Sequence, residues 1–298
     1  MKLTDAQTRV SLKNILYATD FSTASEAALP YALSIARRFE SNLIAVHVNS
    51  APSFAPALPP EDWPAIVQAE QAQAKVDAQH LEKKLAGIPH ELVFRDGEIW
   101  EVFSELIESR DIDLLVIGTH GREGVEKMVL GSVAEEAFRK AECPVLTVGP
   151  HVATPPRQLV ELHNILYATN FSQDSIVAAP YAISLAQEHQ AQLALLHVLH
   201  LAQASDMKDP QNSAASLLHR LHALVPPEAE LWCHPKCYVE YGPPAERILE
   251  FAKKQQSGLI VLGVRPVEKH LTATAHFIET MTYQIVTQAP CPVFTVRG

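Results

Sequence analysis

Asn14-Ile15-Leu16-Tyr17-Ala18-Thr19-Asp20-Phe21-Ser22 returns 150 positions later as Asn164-Ile165-Leu166-Tyr167-Ala168-Thr169-Asn170-Phe171-Ser172. The echo spreads outward from this stretch. Pro30-Tyr31-Ala32-Leu33-Ser34-Ile35-Ala36 is answered by Pro180-Tyr181-Ala182-Ile183-Ser184-Leu185-Ala186, and His47-Val48 by His197-Val198. Leu114–Gly118 corresponds to Leu259–Gly263, and Cys143–Val148 to Cys291–Val296. Solenoid units repeat every 20 to 50 residues, so a period this long marks a duplicated domain. We read residues 1–150 and 151–298 as the two domains, with Gly149 to Pro156, carrying Pro150, Pro155 and Pro156, as the linker.

Within each copy, strand and helix patterns alternate. In the first, Ile15–Ala18 and Leu43–Val48 are uninterrupted apolar runs, as expected of strands covered on both faces of a parallel sheet. Between them, Ala, Leu and Ile recur at helical spacing to about Phe39, and Thr23 with Glu26 has the form of a capping box. A Pro-rich loop, 51–64, leads to a long helix near 65–85. Further strands are expected at 92–94, 114–117 and 145–148, with helices at 99–109 and 133–140. This βαβαβαβαβ order predicts an α/β fold, two repeated open parallel five-stranded sheets with flanking helices and right-handed crossovers.

Composition narrows the function classes. The net charge is −10. Residues 1–150 hold 14 basic and 22 acidic side chains, a net of −8, and residues 151–298 hold 10 and 12, a net of −2. Neither half offers the basic surface that nucleic acid requires. No apolar run approaches the roughly 20 residues of a membrane span. The polar start, Met1 to Val10, is unlike a secretory signal, so we expect a cytoplasmic protein. Cys143 and Cys291 read as small buried apolar side chains. Cys233-His234-Pro235-Lys236-Cys237 has no second ligand pair nearby and reads as a strand edge rather than a zinc site.

The chemistry gathers after the fourth strand. Four of the 11 glycines, Gly118, Gly121, Gly124 and Gly131, fall within 14 residues, between an apolar strand and a helix. Glycines let the backbone approach a ligand closely, successive N–H groups form an anion nest, and a helix N-terminus adds unpaired N–H groups and a positive dipole end. Ser132 with Glu135 has the capping-box pattern that would start that helix. A flexible surface loop is the plain alternative, and the loop matches neither the P-loop nor the dinucleotide fingerprint.

Gly118-Thr119-His120-Gly121, nine residues, then Gly131-Ser132 resembles the G-x2-G-x9-G-[ST] signature of the universal stress protein family. The first strand and turn (15–22), His47-Val48 and Cys143–Val148 resemble the family's other motifs in the right order, and the likeness covers the chain twice. It implies a Rossmann-like, adenine nucleotide alpha hydrolase-like fold. It also implies ATP as ligand, with Mg²⁺ on the phosphates. Gly118, Gly121, Gly131, Ser132 and Val133 then take the phosphate and ribose role. Asp20 lies beside the nucleoside, Ala18 and Thr19 near the base, and the backbone of Val48 at the adenine edge. Ile117 belongs to the same strand end, and Arg122 is a candidate phosphate partner. Asp20 also reads as a plain turn residue. His120 reads as a hydrogen-bonding or solvent-facing loop residue rather than a catalyst.

The second copy departs from this pattern. Counted from the shared strands, Pro266 replaces Gly121, Glu279 replaces Gly131, Thr280 replaces Ser132 and Asn170 replaces Asp20. Proline removes a backbone donor, and a carboxylate opposes a phosphate. We therefore expect one competent site, in the first domain, in a nucleotide-dependent regulatory module. The competing reading is an interaction scaffold that needs no nucleotide. No catalytic cluster emerges, so at most weak ATP hydrolysis is expected. The final strands, 145–148 and 293–296, are expected to pair within the chain, since pairing covers an exposed edge. Whole chains pairing into a homodimer is a further possibility.

Overall fold

The computed structural model describes residues 10–49, 63–119, 131–153, 160–200, 213–229, 235–265 and 273–298. Its centre is a single ten-stranded sheet in the order β3-β2-β1-β4-β5-β10-β9-β6-β7-β8. The first half supplies β1 (Asn14–Ala18), β2 (Asn42–Asn49), β3 (His90–Asp96), β4 (Leu114–Gly118) and β5 (Val145–Val148). The second supplies β6 (Asn164–Ala168), β7 (Gln192–Leu199), β8 (Lys236–Tyr241), β9 (Leu259–Val264) and β10 (Val293–Arg297). Each set of five is parallel. The expected pair of five-stranded sheets is thus present as one continuous sheet, with β5 and β10 adjacent and antiparallel at its middle.

Alternation along the strands sends neighbours to opposite faces. Ile15, Tyr17, Leu43, Ala45, Leu114 and Val116 enter one apolar cluster, and Leu16, Ala18, Ile44, Val46, Leu115 and Ile117 the other. The first face is covered by α1 (Thr23–Phe39), α2 (Trp63–Leu85), α6 (Ala179–His189) and α7 (Ala214–His222). The second face is covered by α3 (Ile99–Ser109), α4 (Ser132–Lys140), α8 (Pro244–Lys254) and α9 (Ala273–Gln288). The helical stripes predicted for 23–39 and 99–109 begin and end as expected. The result is a three-layer sandwich whose two cores each run through both halves.

Two details differ from the sequence reading. Ser22, not Thr23, caps α1: its side chain accepts the Ser25 N–H at 3.2 Å. The second half also breaks this helix. A short α5 (Gln173–Ile176) is followed by α6 after a two-residue gap. The break falls where Glu26-Ala27-Ala28 is replaced by Ile176-Val177-Ala178, and β-branched side chains lose rotamer freedom in a helix.

Candidate functional site

In the order β3-β2-β1-β4-β5 the connections reverse direction between β1 and β4. Open α/β sheets bind ligands at that point, beyond the carboxyl ends of the strands. The chain bends sharply after β1. The Thr19 N–H bonds the Val46 carbonyl at 2.9 Å, tying the turn to β2. The Thr19 hydroxyl accepts the Phe21 N–H at 3.0 Å and lies 3.2 Å from the Ser25 hydroxyl. The Asp20 Oδ1 accepts the Ser22 N–H at 2.9 Å. Phe21 itself has a φ of 60°, a left-handed conformation that is rare for a bulky side chain. Its ring packs on His47 at 4.7 Å between centroids, and the His47 Nδ1–H donates to the Thr19 carbonyl at 2.8 Å.

The turn recurs after β6 with closely matching geometry. Phe171 has a φ of 61°, its ring lies 4.7 Å from that of His197, and His197 Nδ1 bonds the Thr169 carbonyl at 2.8 Å. Asn170 stands where Asp20 does and accepts the Ser172 N–H at 2.9 Å. The plain turn role for Asp20 is therefore real, and an amide performs it equally well.

At the end of β4, Gly118 is close-packed. A Cβ there would lie 2.5 Å from the Ala24 carbonyl oxygen and 3.0 Å from the Ser25 nitrogen. The first turn of α1 thus rests on this glycine. The second half keeps the arrangement: a Cβ on Gly263 would meet the Asp174 oxygen at 2.1 Å. Packing alone therefore explains why Gly263 survives where the other loop glycines do not.

Beyond Gly118, the two ends of the glycine loop are fastened together. The Thr119 N–H bonds the Val148 carbonyl at 3.0 Å, and the Gly131 N–H bonds the Thr119 carbonyl at 2.7 Å. Gly131 caps α4 in an extended conformation, φ −61° and ψ 149°, without a side-chain bond. The expected Ser132–Glu135 capping box is not formed. Ser132 is already the first helical residue, and Glu135 instead lies 3.8 Å from Arg139. The N–H groups of Ser132, Val133 and Ala134 have no acceptor within the helix, as at any helix start.

The structure thus brings Ala18, Thr19, Asp20, Val48, Gly118, Gly131, Ser132 and Val133 to the carboxyl ends of β1, β2 and β4. Ile117 is buried on the sheet face and offers that edge only its backbone. Gly121, Arg122 and His120 lie outside the described residues, as do Pro266 and Cys233-His234. Among the described residues no group of three or more His, Cys, Asp or Glu is arranged to hold a metal ion. The donor set suits a phosphate chain better than a bare cation, since helix-start N–H groups bind anions. A Mg²⁺ would take its ligands from the phosphates, water and at most Asp20.

Among the described residues of the second half, no helix starts at the equivalent position. Glu279 and Thr280, the counterparts of Gly131 and Ser132, lie inside α9, which already begins at Ala273. Backbone N–H groups there bond to carbonyls four residues back. A residue with good helix propensity in place of glycine lets the helix run through the position where α4 begins. Across the same strand ends, Arg265 Nε donates to Asp174 Oδ2 at 2.9 Å.

A cavity of about 670 Å³ lies elsewhere, at the amino ends of β4 and β5, lined by Trp100, Asp111, Asp113, Lys140, Cys143 and Tyr181. It opens on the sheet edge opposite to the strand ends where parallel sheets take ligands. Burial pushes the thiols of Cys143 and Cys291 up to about 12, so both act as packing groups. No helix among the described residues is long and apolar enough to cross a membrane.

The model of the Universal stress protein family matches residues 11–149 and again 161–297. A universal stress protein of Methanocaldococcus jannaschii is 34% identical over 140 residues, which are 46% of this chain and 81% of that protein. A universal stress protein A homolog of Coxiella burnetii is 31% identical over 141 residues, 46% of this chain and 95% of its own. The crystal structure of a universal stress protein from Archaeoglobus fulgidus superposes with a TM-score of 0.68 at 19% identity, covering 97% of this chain and 99% of that one. That likeness carries the fold.

Proposed function

Since the chain belongs to the universal stress protein family, we propose that its first half, residues 1–150, binds ATP with Mg²⁺ and that the chain is a nucleotide-dependent regulatory module with one competent site. The observation that carries this reading is the contrast between two helix starts. In the first half the Gly131 N–H bonds the Thr119 carbonyl, and α4 begins at Ser132 beyond the carboxyl end of β4. In the second half α9 runs through the same place. Helix-start N–H groups and the dipole favour the phosphates in the first half only. Asp20 faces the nucleoside while holding its turn, and the backbone at Val48 meets the adenine. Isothermal titration of the full chain with Mg·ATP tests the reading. About one site per chain is expected; two sites, or none, would overturn it.

The second half, 151–298, then serves as a structural partner. We propose that in solution the halves stay paired through β5 and β10. Reciprocal contacts support this. Thr147 Oγ1–H donates to the Val293 carbonyl at 3.1 Å and Thr295 Oγ1–H to the Val145 carbonyl at 3.2 Å. The Val10 N–H bonds Ser184 Oγ at 2.8 Å, while the equivalent Ser34 hydroxyl bonds the Val160 carbonyl. Arg297 from β10 reaches the Phe138 carbonyl at 2.8 Å, in the last turn of α4.

A further inference from the structure

We propose that His47 is a positioning residue of the nucleotide site, tying the strand that meets the base to the turn that carries Asp20; this rests on the ATP reading above. His47 sits in β2 immediately before Val48. Its ring is buried, 7% exposed, between Phe21 at 4.7 Å and Phe94 at 5.9 Å. Its Nδ1–H donates to the carbonyl of Thr19, the residue before Asp20. This side chain therefore adds a second tie, beside the Thr19 N–H bond to the Val46 carbonyl, between the strand that carries Val48 and the turn that carries Asp20.

The turn needs such a device. A phenylalanine at φ 60° is strained and persists only where its surroundings over-determine it. Here the surroundings are the His47 ring, the His47–Thr19 bond, the Thr19 hydroxyl on the Phe21 N–H and the Asp20 carboxylate on the Ser22 N–H. If the Nδ1 bond is lost, the Thr19 carbonyl is left buried without its donor; the Thr19 N–H still holds the Val46 carbonyl at 2.9 Å, but the strained Phe21 backbone beyond it is less firmly opposed. Asp20 then moves relative to Val48, and the ligand must reorder the turn as it binds.

The second half supplies an internal control. His197 makes the same bond at the same distance, with Phe171 at the same spacing, but in a half where we place no nucleotide. Replacing either histidine should lower stability to a similar extent; only His47 should affect the ligand.

The test is the affinity of the full chain for Mg·ATP by isothermal titration, with chemical denaturation in parallel. His47→Phe keeps a ring of similar size and removes the donor; a loss of at least tenfold in affinity is expected. His47→Asn keeps an N–H donor near the Nδ1 position and should recover affinity to within threefold of the original chain. His197→Phe should leave affinity unchanged. Should His47→Phe not fold, His47→Gln decides. Its side-chain N–H lies near the Nε2 rather than the Nδ1 position, so the Thr19 carbonyl loses its donor and affinity should fall at least threefold. Unchanged affinity in His47→Phe (or in His47→Gln where His47→Phe does not fold), no recovery in His47→Asn, or an equal loss in His197→Phe overturns the proposal. Absence of ATP binding in the unaltered chain would instead refute the nucleotide reading itself.

Discussion

Gly118→Ala inserts one methyl group where the structure has no space for it. Its Cβ would lie 2.5 Å from the Ala24 oxygen, 2.7 Å from the Ala24 carbonyl carbon and 3.0 Å from the Ser25 nitrogen. All three are backbone atoms, so no side chain can swing aside. The first turn of α1 must retreat from the strand by roughly 0.7 Å to restore van der Waals separation. That turn is held by the Ser22 cap, by the Tyr17 hydroxyl on the Ser25 carbonyl at 2.7 Å, and by Thr19. Overpacking of this kind costs about 1–3 kcal/mol. Taking about 2 kcal/mol, the melting temperature should fall by roughly 4–8 °C for a domain of this size. Gly263→Ala, whose Cβ would approach the Asp174 oxygen to 2.1 Å, should lose at least as much. Guanidinium denaturation of the two variants measures both losses directly. A Gly118→Ala chain within about 0.5 kcal/mol of the original, inside the range of an ordinary surface change, would show that α1 yields easily and that the glycine is retained for another reason.

Gly131→Glu gives the first half the second half's residue. On the ATP reading it would set a carboxylate at the proposed phosphate site and replace the glycine that caps α4, so ATP affinity should drop at least tenfold, about 1.4 kcal/mol, with the fold intact by circular dichroism; unaltered binding would remove the loop from the site. His189, 6% exposed and with neither ring nitrogen hydrogen-bonded among the described residues, is pushed down to about 4 by burial, with Arg38 adding to the effect. The unfolded chain takes up this proton near the ordinary histidine value and the folded chain does not, so the stabilising contribution is complete above about pH 6.5 and declines as the pH falls toward 4, by up to about 3 kcal/mol. His189→Phe, which imports the first half's Phe39, should flatten the stability profile measured by denaturation across that window; an unchanged slope would assign the acid sensitivity elsewhere. Leu146→Pro removes a backbone donor from β5 next to β10, and amide exchange in Val293–Arg297 should speed up at least tenfold; full protection there would mean the halves do not depend on this seam.

The sheet was legible because buried parallel strands are written as apolar runs, and the order of strands and helices follows from connection rules. The helix starts were less legible. Ser22, Thr23, Ser132 and Gly131 are all plausible caps by residue type, and only the dihedral at which the chain enters the helix separates them. The glycine pattern points to a ligand role for Gly118 but not to its packing against Ala24, which depends on how closely two elements 94 positions apart approach. The run of α9 through Glu279 lacks any breaker between Ala273 and Thr280, a signal available in the sequence that the comparison of single loop positions passed over. The Phe21–His47 contact joins residues with no periodic relation. Its trace was the persistence of both residues in a second half that had lost the loop glycines, which marks them as belonging to the turn.

The antiparallel seam also sets a timetable for the growing polypeptide. Synthesis completes β5 at Val148 and reaches Val293 only about 145 residues later. At roughly 5–20 residues per second, the first half has on the order of 7–30 s on the ribosome with one flank of its last strand open. A neighbouring nascent chain in a polysome carries the same open flank and can occupy it first. The flank is only four residues long, which keeps such an encounter weak and reversible, while β10 arrives tethered and at high local concentration. Shortness of the central strand thus guards the order of assembly as well as the finished sheet.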